Sequence, residues 1–354
     1  MKLLKILENL YPKVYIAIVV TSTKINIEVQ KYKGNSLEYE DSIAFETGQI
    51  NEDIVSYVNK QISLTPYHYI SFLNVSKEQG AIPTCKAIEA KTYIDNSLHK
   101  TVCVDKRWSV YTSTLNLIAM EKEYKELGID FVFSPFLLIK HFFNDKIATT
   151  SGAYVLISNK KISVAIFYDG ELIYAQHINS LTEEEDETLS LDDDNQDLEF
   201  NFDNEEEEEE DLGISLDDID VMDDVDMMDD LDDIEDLDDL DDLDDLDDFD
   251  ESGAEDIPEE SDEGVVEEEP SFMEEINHDY DRFTCIEKAF TKYYQDKRYE
   301  SEFVETVYIA DGHGISDDLK RYLEEELFVS VVVRRVDIAR AVNELAVKEV
   351  NNAV

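Results

Sequence analysis

Apolar residues in the first part of the chain are arranged in short runs that are typical of strands and of one amphipathic helix. Residues 14–20, 24–31 and 37–45 each predict a strand, because apolar side chains form a continuous run in the first and alternate with polar ones in the second. Residues 51–64 predict a helix whose apolar side chains recur about one turn apart, and residues 67–75 predict a buried strand. The pattern therefore indicates a three-stranded meander, a helix and a parallel strand.

A second group of elements interrupts and then completes this first half. Residues 80–133 predict a small insert with two short strands and a helix that ends at Gly128, a residue suited to the position after a helix C-terminus. Residues 134–143 predict a helix with Pro135 in its first turn. We expect this helix to return to the first core, so that the first half ends at about residue 145.

The remaining apolar runs repeat the plan of the first half. Residues 153–178 predict three strands, and Asp169 with Gly170 is a strong hairpin signal between the last two. The rest of the pattern predicts a helix at 272–294, a strand at 303–310, a turn at 311–314, a helix that begins at 316–318, a strand at 329–333 and a helix from Asp337. Two βββαβα halves in tandem, at 1–145 and at 146–180 plus 271–354, indicate an α/β chain with the duplicated, ribonuclease H-like plan of the actin-like ATPase fold.

Charge is distributed very unevenly along the chain. Its 354 residues include 86 acidic and 30 basic ones, and residues 181–270 hold 49 of the acids and no lysine or arginine. The other residues carry 37 acids against 30 bases, which is ordinary for folded protein, and they are numerous enough for two domains with sizeable cores. We expect residues 181–270 to be a disordered acidic insertion in the second half.

The acidic insertion contains a repeat of its own. An apolar residue recurs every three positions at Leu216, Ile219, Met222, Val225, Met228, Leu231, Ile234, Leu237, Leu240, Leu243, Leu246 and Phe249. An α-helix turns about 300° in three residues, so this period gives no single helical face, and it does not suit a strand either. Three roles are open: a solubilising spacer, a flexible ligand for a basic partner surface with shallow apolar pockets, and a weak binder of divalent cations. In the second role, Leu237, Leu240, Leu243 and Leu246 are the expected partner contacts.

The remaining composition disfavours several classes of protein. Cys85, Cys103 and Cys285 are widely spaced and odd in number, which favours reduced thiols over a disulfide framework or a zinc site and so indicates the cytosol. The six histidines lack ligand spacing, so we expect no metal site. The net charge of −56 disfavours nucleic acid. Neither residues 1–10 nor any other stretch reaches the roughly 20 apolar residues of a membrane span.

Three stretches carry a resemblance to a known family. "VYIAIVVTSTKINIEVQK" opens the first half, "AYVLISNKKISVAIFYDGELIYAQHI" opens the second, and "VYIADGHGISDDLKRYLEEELFVSVVVRRV" joins a strand, a glycine-containing turn, a helix and a strand. In order and spacing they are similar to the two phosphate hairpins and the adenosine motif of the PilM and GspL group, the actin-like relatives of FtsA in the inner-membrane platforms of type IV pili and type II secretion. The insert at 80–133 lies where PilM and FtsA carry an extra subdomain.

The same stretches depart from the family's nucleotide-binding pattern. ATP-binding members carry Asp-x-Gly or a similar sequence in each phosphate hairpin, where the glycine admits the phosphates and the aspartate holds the metal. The residues at the matching turns of this chain are Thr21, Ser22, Thr23, Lys24, Ser158, Asn159, Lys160, Gly312 and Gly314, with Asp311 and His313 beside the glycines. We therefore expect a vestigial nucleotide site without catalytic residues or metal, at which ATP and Mg²⁺ do not act as cofactors. Lys24, Lys160 and Lys161 are expected to be solvated, with anion binding as the alternative.

The resemblance implies a function in protein binding. It is that of a cytoplasmic, catalytically degenerate scaffold in a bacterial envelope machine, which is a type IV pilus, a secretion or DNA-uptake system, or a flagellar motor with pilus-like parts. The implied partner is the cytoplasmic tail of a PilN-like, single-span inner-membrane protein, bound against the first half and its insert. This partner would keep the scaffold peripheral to the inner membrane. Two alternatives stay open, namely an active actin-like ATPase or kinase-like enzyme, and an acidic binding protein for a basic partner.

Overall fold

The computed structural model describes residues 11–34, 36–63, 65–179, 272–299 and 301–352. The strands are β1 (Lys13–Val20), β2 (Ile25–Lys33), β3 (Ser36–Phe45), β4 (Tyr67–Leu73), β5 (Gln79–Ile82), β6 (His99–Val104), β7 (Trp108–Ser113), β8 (Phe131–Phe133), β9 (Gly152–Ser158), β10 (Lys161–Tyr168), β11 (Glu171–Asn179), β12 (Thr306–Asp311) and β13 (Ser330–Arg335). The helices are α1 (Glu52–Ile62), α2 (Ala87–Ala90), α3 (Thr114–Glu123), α4 (Pro135–Ile147), α5 (Phe272–Gln295), α6 (Asp317–Glu326) and α7 (Ile338–Asn352). The expected α/β class, in two halves with one plan, is confirmed.

The first half is built on a five-stranded sheet with the order β3-β2-β1-β4-β8. β1 is antiparallel to β2 and parallel to β4, so it lies at the centre of the sheet, where a strand that is buried on both faces reads as a continuous apolar run. α1 begins after Asn51, whose side chain accepts a hydrogen bond from the Ile54 amide. Ile54 and Val58 of this helix are buried in the core on one face of the sheet.

The second half repeats this sheet with the order β11-β10-β9-β12-β13. β9 is antiparallel to β10 and parallel to β12, so β9 takes the central position that β1 has in the first half. Phe283 and Ile286 of α5, with Leu319 and Leu323 of α6, are buried in the core on one face of the sheet. The equivalence places the β1–β2 turn and the β9–β10 turn at corresponding positions of the two halves.

The separate insert is smaller than the pattern of residues 80–133 indicates. Only β5, β6 and β7 form a sheet of their own, with the order β5-β7-β6. Met120, Tyr124 and Leu127 pack in the first core, where the rings of Tyr124 and Phe72 stack with centroids 4.5 Å apart. β8 pairs with β4 in the first sheet. Met120 of α3, with Tyr124 and Leu127 just after this helix, therefore completes the main core.

The last helix of each half packs on the sheet of the other half. α4 lies against β9 and β10, whereas α7 lies against β1, β2 and β4. The ring centroid of Phe143 in α4 is 5.5 Å from that of Tyr154 and 5.9 Å from that of Tyr308, both in the second sheet. The expectation that 134–143 returns to the first core is therefore wrong. The exchange lets α4 and α7 bury their apolar residues in one shared core.

Cys85 and Cys103 form a disulfide, with Cα atoms 5.2 Å apart. The expectation of reduced thiols is wrong for this pair, because the fold of the insert brings the segment after β5 alongside β6. Cys285 is buried in the core of the second half. The number and spacing of cysteines do not show which of them meet, so they do not indicate the cytosol.

Candidate functional site

A cleft of about 350 Å³ lies where the β1–β2 turn, the β9–β10 turn, the loop after β12 and the start of α7 meet. The positions expected for a vestigial nucleotide site that line this cleft are Thr21, Thr23, Lys24, Ser158, Asn159 and Gly312. Ser22, Lys160 and Gly314 belong to the same turns and do not line the cavity. The fold therefore brings together turns that are more than a hundred residues apart in the chain.

The turn between β1 and β2 is closed by its own hydrogen bonds. The Thr21 amide and the Thr21 hydroxyl both donate to the Lys24 carbonyl, at 2.9 and 2.7 Å, and the Lys24 amide donates to Thr21 Oγ1 at 3.0 Å. The Lys24 ammonium lies 3.1 Å from a carboxylate oxygen of Glu46. These donors are engaged within the protein, so they do not form an open anion cradle.

Gly48 supports this turn from behind, a role that the sequence pattern did not reveal. A Cβ atom at this position would lie 2.2 Å from the carbonyl oxygen and 2.8 Å from the carbonyl carbon of Ser22. Backbone cannot move aside as a flexible side chain can, so only glycine allows the chain to approach so closely. A lone glycine in a polar loop was the one signal available.

The β9–β10 turn reaches across to the first half. Asn159 has a positive φ of 56°, and its side-chain amide donates to Ser22 Oγ at 3.4 Å. Lys161 was expected to be solvated or to bind an anion, but its ammonium donates to the carbonyl of Val75 at 2.8 Å. Burial lowers the pKa of Lys161. This lysine therefore links the halves.

Beside Lys161, Oγ of the buried Ser163 lies 2.8 Å from Nδ1 of the half-buried His177. Burial, followed by the charge of Lys161, lowers the pKa of His177 to about 4, so the imidazole is neutral. The adjoining cavity is about 10 Å³, room for no more than one water molecule. A serine–histidine pair without space for a substrate is structural.

Asp311, the last residue of β12, fills the concavity of the loop that follows this strand. The buried carboxylate of Asp311 accepts hydrogen bonds from the amides of His313, Gly314 and Ile315, at 3.0, 2.7 and 3.1 Å. The Gly312 amide donates to the Ile157 carbonyl at 3.0 Å. All four amides of residues 312–315 thus have partners. The Asp311 carboxylate occupies the position that a phosphate would need at these amides.

The two glycine positions of this loop require glycine for different structural reasons. A Cβ on Gly312 would lie 2.3 Å from Cδ1 of Ile338, so this glycine allows α7 to pack against the loop. Gly314 has open space around it but a φ of +86°, a conformation that side chains other than glycine adopt at a cost. Both requirements arise from the fold and would hold without a nucleotide.

Acidic residues lie behind the cleft. Glu28 on β2 is buried, and burial, a hydrogen bond with Glu40 and the negative charges of Asp337 and Glu40 raise its pKa to about 7. Asp337 lines the cleft and accepts a hydrogen bond from the Arg340 amide at the start of α7. The negative charge of Asp337 in the cleft opposes a polyphosphate, because like charges repel.

A larger groove of about 520 Å³ lies between β6, α4 and α7. Its apolar wall includes Phe133, Leu137 and Leu345, and Val102 at its edge is 62% exposed. Within the described ranges, β6 is an edge strand of the insert sheet, because it pairs only with β7. The groove therefore combines an apolar wall with a strand edge that is open to a further strand.

Lys140 and His141, which line this groove, are engaged with acidic neighbours. Lys140 forms an ion pair with Asp105, and His141 Nε2 lies 2.8 Å from Oε2 of Glu344. The hydrogen bond with His141 lowers the pKa of the Glu344 carboxyl. Since these charges already have partners, the groove favours an apolar or neutral segment over a highly charged one.

Other expectations concern absences and the acidic insertion. In the part of the chain that the structure describes, no three His, Cys, Asp or Glu side chains come together as a metal site. No described helix combines the length and apolar character that a membrane crossing needs. Leu237, Leu240, Leu243 and Leu246 lie outside the described residues, as do residues 1–10, and the roles expected of them stay predictions.

Two family models match the chain in succession. Residues 11–140 match a Domain of unknown function (DUF8569), and residues 153–351 match a Domain of unknown function (DUF8341). A search of the curated proteins finds no match. The two models divide the chain between its two halves.

Several solved structures are similar in fold at very low identity. A Bacteroides thetaiotaomicron protein with actin-like ATPase fold and unknown function is 8% identical, over 96% of this chain and 97% of that one, with a TM-score of 0.45. The ethanolamine utilization protein EutJ from Carboxydothermus hydrogenoformans is 8% identical over 94% and 88%, with a TM-score of 0.39. A PilM–PilN type IV pilus biogenesis complex is 8% identical over 90% and 88%, with a TM-score of 0.42. Sequence identity and TM-score are low for each of these neighbours, so the fold is described by the strand order of this chain and not by any one of them.

Proposed function

We propose, for a chain that belongs to the family Domain of unknown function (DUF8341), that the protein is a catalytically degenerate actin-like scaffold that binds other proteins and does not hydrolyse nucleotide. The observation that carries this proposal is the position of the Asp311 carboxylate on the amides of residues 313–315. The self-closed turn at Thr21 and the acidic side chain of Asp337 in the cleft support it. An active ATPase or kinase-like enzyme would need amides that are open to phosphate in this cleft.

The partner we propose is the cytoplasmic tail of a PilN-like, single-span inner-membrane protein. The tail would add to the edge of β6 as an extended strand and place apolar side chains against Val102, Leu137 and Leu345. Main-chain hydrogen bonds to a strand edge give affinity, and apolar pockets beside the edge give specificity. This partner would hold the scaffold on the cytoplasmic side of the inner membrane, in a pilus, a secretion or DNA-uptake system, or a flagellar motor with pilus-like parts.

A binding experiment with matched variants tests this partner. Single-span proteins that co-purify with the full chain from native membranes are identified, and a synthetic peptide of each cytoplasmic tail is titrated into the chain by calorimetry. We expect Val102→Asp to weaken the peptide by at least about tenfold, because a charge would enter the apolar groove. Leu115→Asp is the control, since Leu115 is also exposed, at 72%, but lies outside the groove.

Two results would contradict this assignment. In the first, no single-span protein is recovered with the parent chain. In the second, Val102→Asp binds the tail peptide as tightly as Leu115→Asp, so the groove takes no part.

A further inference from the structure

The outer strand of the second sheet keeps apolar side chains in solvent. Among the described strands β13 pairs only with β12, so no strand covers its other edge. On that edge the Val331 amide donates to the Glu324 carboxylate at 3.4 Å, which places an acidic group at the start of β13. Val331 is 7% exposed, but Val332 and Val333 are 47% and 39% exposed. Since alternate residues of a strand point to opposite faces, the two exposed valines border the open edge on both sides of the sheet. An open, apolar edge strand is a template for pairing with another chain.

Phe328, just before β13, adds a second and independent feature. It is 82% exposed and has a φ of 55°, the left-handed conformation that often follows the end of a helix. Glycine or asparagine adopts this conformation at a lower cost, whereas for a bulky residue it is an outlier. A large apolar side chain that costs free energy in backbone conformation and stays in water points to a contact outside the subunit.

Residues 324–335, which run from the end of α6 to the end of β13, have the sequence "EEELFVSVVVRR". This stretch is acidic at its start and basic at its end. Glu325 and Glu326 at the end of α6 are exposed, and so is Arg335 at the end of β13. Arg334 is held in its own subunit, with its guanidinium 5.1 Å from the Phe143 ring and 3.6 Å from the Asp145 carboxylate. The charged groups at the open edge are therefore acidic at one end and basic at the other.

Such a stretch is complementary to itself only in the antiparallel direction. Antiparallel pairing of two copies places the acidic end of each against the basic end of the other, whereas parallel pairing places like charges together. A two-fold axis generates this antiparallel contact, and two-fold dimers are the commonest closed assemblies. The pairing would also cover the exposed Phe328, Val332 and Val333 of both copies.

We propose that β13 is the contact of a two-fold homodimer, in which the β13 strands of two copies pair antiparallel and join the two second-half sheets into one. Arg335 of each copy lies against Glu325 and Glu326 of the other, and Phe328 of each copy covers the valines of the other. The surface is separate from the groove at β6, so its failure and the failure of the proposed scaffold function are distinguishable.

The size and charge of the chain set the conditions for a test. One short strand and a few side chains bury less surface than a standard stable interface, so the dimer forms in a concentration-dependent way. Each chain also carries a net charge of −56, which opposes association over long distances. At about 0.15 M ionic strength the Debye length is roughly 8 Å, so this repulsion is screened while contacts between paired charges persist.

Sedimentation equilibrium of the full chain, over a range of protein concentrations, measures the dimer directly. We expect a reversible monomer–dimer equilibrium for the parent. Arg335→Glu and Glu325→Arg should each weaken it by at least about tenfold, because the two-fold axis makes every substitution act twice. The double variant Arg335→Glu/Glu325→Arg should recover affinity to within about threefold of the parent, since the swapped charges meet again.

Two further variants test the apolar part of the contact. Val332→Lys should abolish the dimer, because lysine on an edge strand blocks pairing with another edge. Phe328→Gly should weaken the dimer and raise the melting temperature of the monomer, because it removes the backbone cost. Leu115→Lys is the control for a new surface charge and should leave the dimer unchanged. The melting temperature of each variant shows whether it is folded.

Three outcomes would overturn the proposal. One is a parent chain that stays monomeric at every concentration. Another is a dimer that Val332→Lys leaves intact. The third is a folded charge-swapped double variant that is as weak as the single variants, since this would exclude the antiparallel contact.

Discussion

The carboxylate of Asp311 is buried, and it accepts hydrogen bonds from the amides of residues 313, 314 and 315. Successive amides that point into one concavity are an anion site in many proteins. Here the anion belongs to the chain itself, so the concavity stabilises the loop and leaves no donors for a phosphate. The Asp311 side chain thus gives a structural role to a loop whose backbone resembles an anion-binding site.

Glu28 leads to a prediction about pH. Its pKa is raised from 4.5 to about 7, so the folded protein favours the protonated carboxyl. Its contribution to stability is complete below pH 4.5 and is lost as the pH rises through 7. Glu28→Gln keeps a neutral side chain at every pH. We therefore expect the free energy of unfolding of the variant, minus that of the parent, to rise by about 2–3 kcal/mol between about pH 4 and pH 8.

Chemical denaturation of both proteins at several pH values measures this difference. His177 has a lowered pKa and so loses its contribution as the pH falls from 6.5 towards 4. This effect is common to parent and variant and cancels in the difference. A difference that stays constant or falls with pH would show that the pKa of Glu28 is not raised in the folded protein.

At the residue scale, the sequence identified positions better than roles. The spacing of glycines in a turn located Gly312 and Gly314, and the absence of glycine from the hairpins was visible directly. The contact of Lys161 with the Val75 carbonyl joins residues 86 apart. The disulfide likewise depends on how the segment after β5 lies against β6. No local pattern encodes contacts of this kind, because they follow from the packing of whole elements.

The exchange of α4 and α7 between the halves shows the same limit at the scale of elements. A period of 3.6 residues predicts that a helix has an apolar face, but not which sheet covers it. The pattern located most strands and helices well, because their apolar runs are interrupted by polar turns. It placed the start of β12 at Phe303, which is exposed, since the apolar run continues into the loop before Thr306.

The packing of α7 on the loop after β12 leads to a second prediction. Gly312→Ala puts a methyl group 2.3 Å from Cδ1 of Ile338, and overpacking of this kind costs about 1–3 kcal/mol of stability. Ile338→Ala leaves a cavity and costs about 2–4 kcal/mol. The double variant places the new methyl group in that cavity. We expect it to cost at least about 1 kcal/mol less than the sum of the single variants.

Denaturant unfolding of the four proteins measures this coupling. The control is Gly34→Ala, because Gly34 has a positive φ of 58° and no atom within 4 Å of a new Cβ. Gly34→Ala and Ile338→Ala should therefore be additive. If Gly312→Ala and Ile338→Ala were additive as well, the close approach of α7 to the loop would be disproved.

At the scale of the whole molecule, the duplicated plan was the most predictable feature. Each half contains a meander, a helix and parallel strands, and the equivalent β1 and β9 bring two turns to one cleft. Residues 181–270 interrupt the second half between β11 and α5, where a connection can lengthen without breaking either sheet. The open edge of β13 was not predicted, because its valines read as a buried strand.

The central claim is that this actin-like cleft does not take up nucleotide. The most direct test is the melting temperature of the full chain with millimolar Mg-ATP, compared with the same free Mg²⁺ alone, since this control removes any effect of the cation on a chain with 86 acidic residues. A ligand at a hundredfold excess over its Kd stabilises the folded state by about 2.7 kcal/mol, a clearly measurable rise. We expect no difference between the two samples, and the same melting temperature for Lys24→Ala in both. A rise with Mg-ATP that Lys24→Ala or Lys160→Ala abolishes would contradict the account.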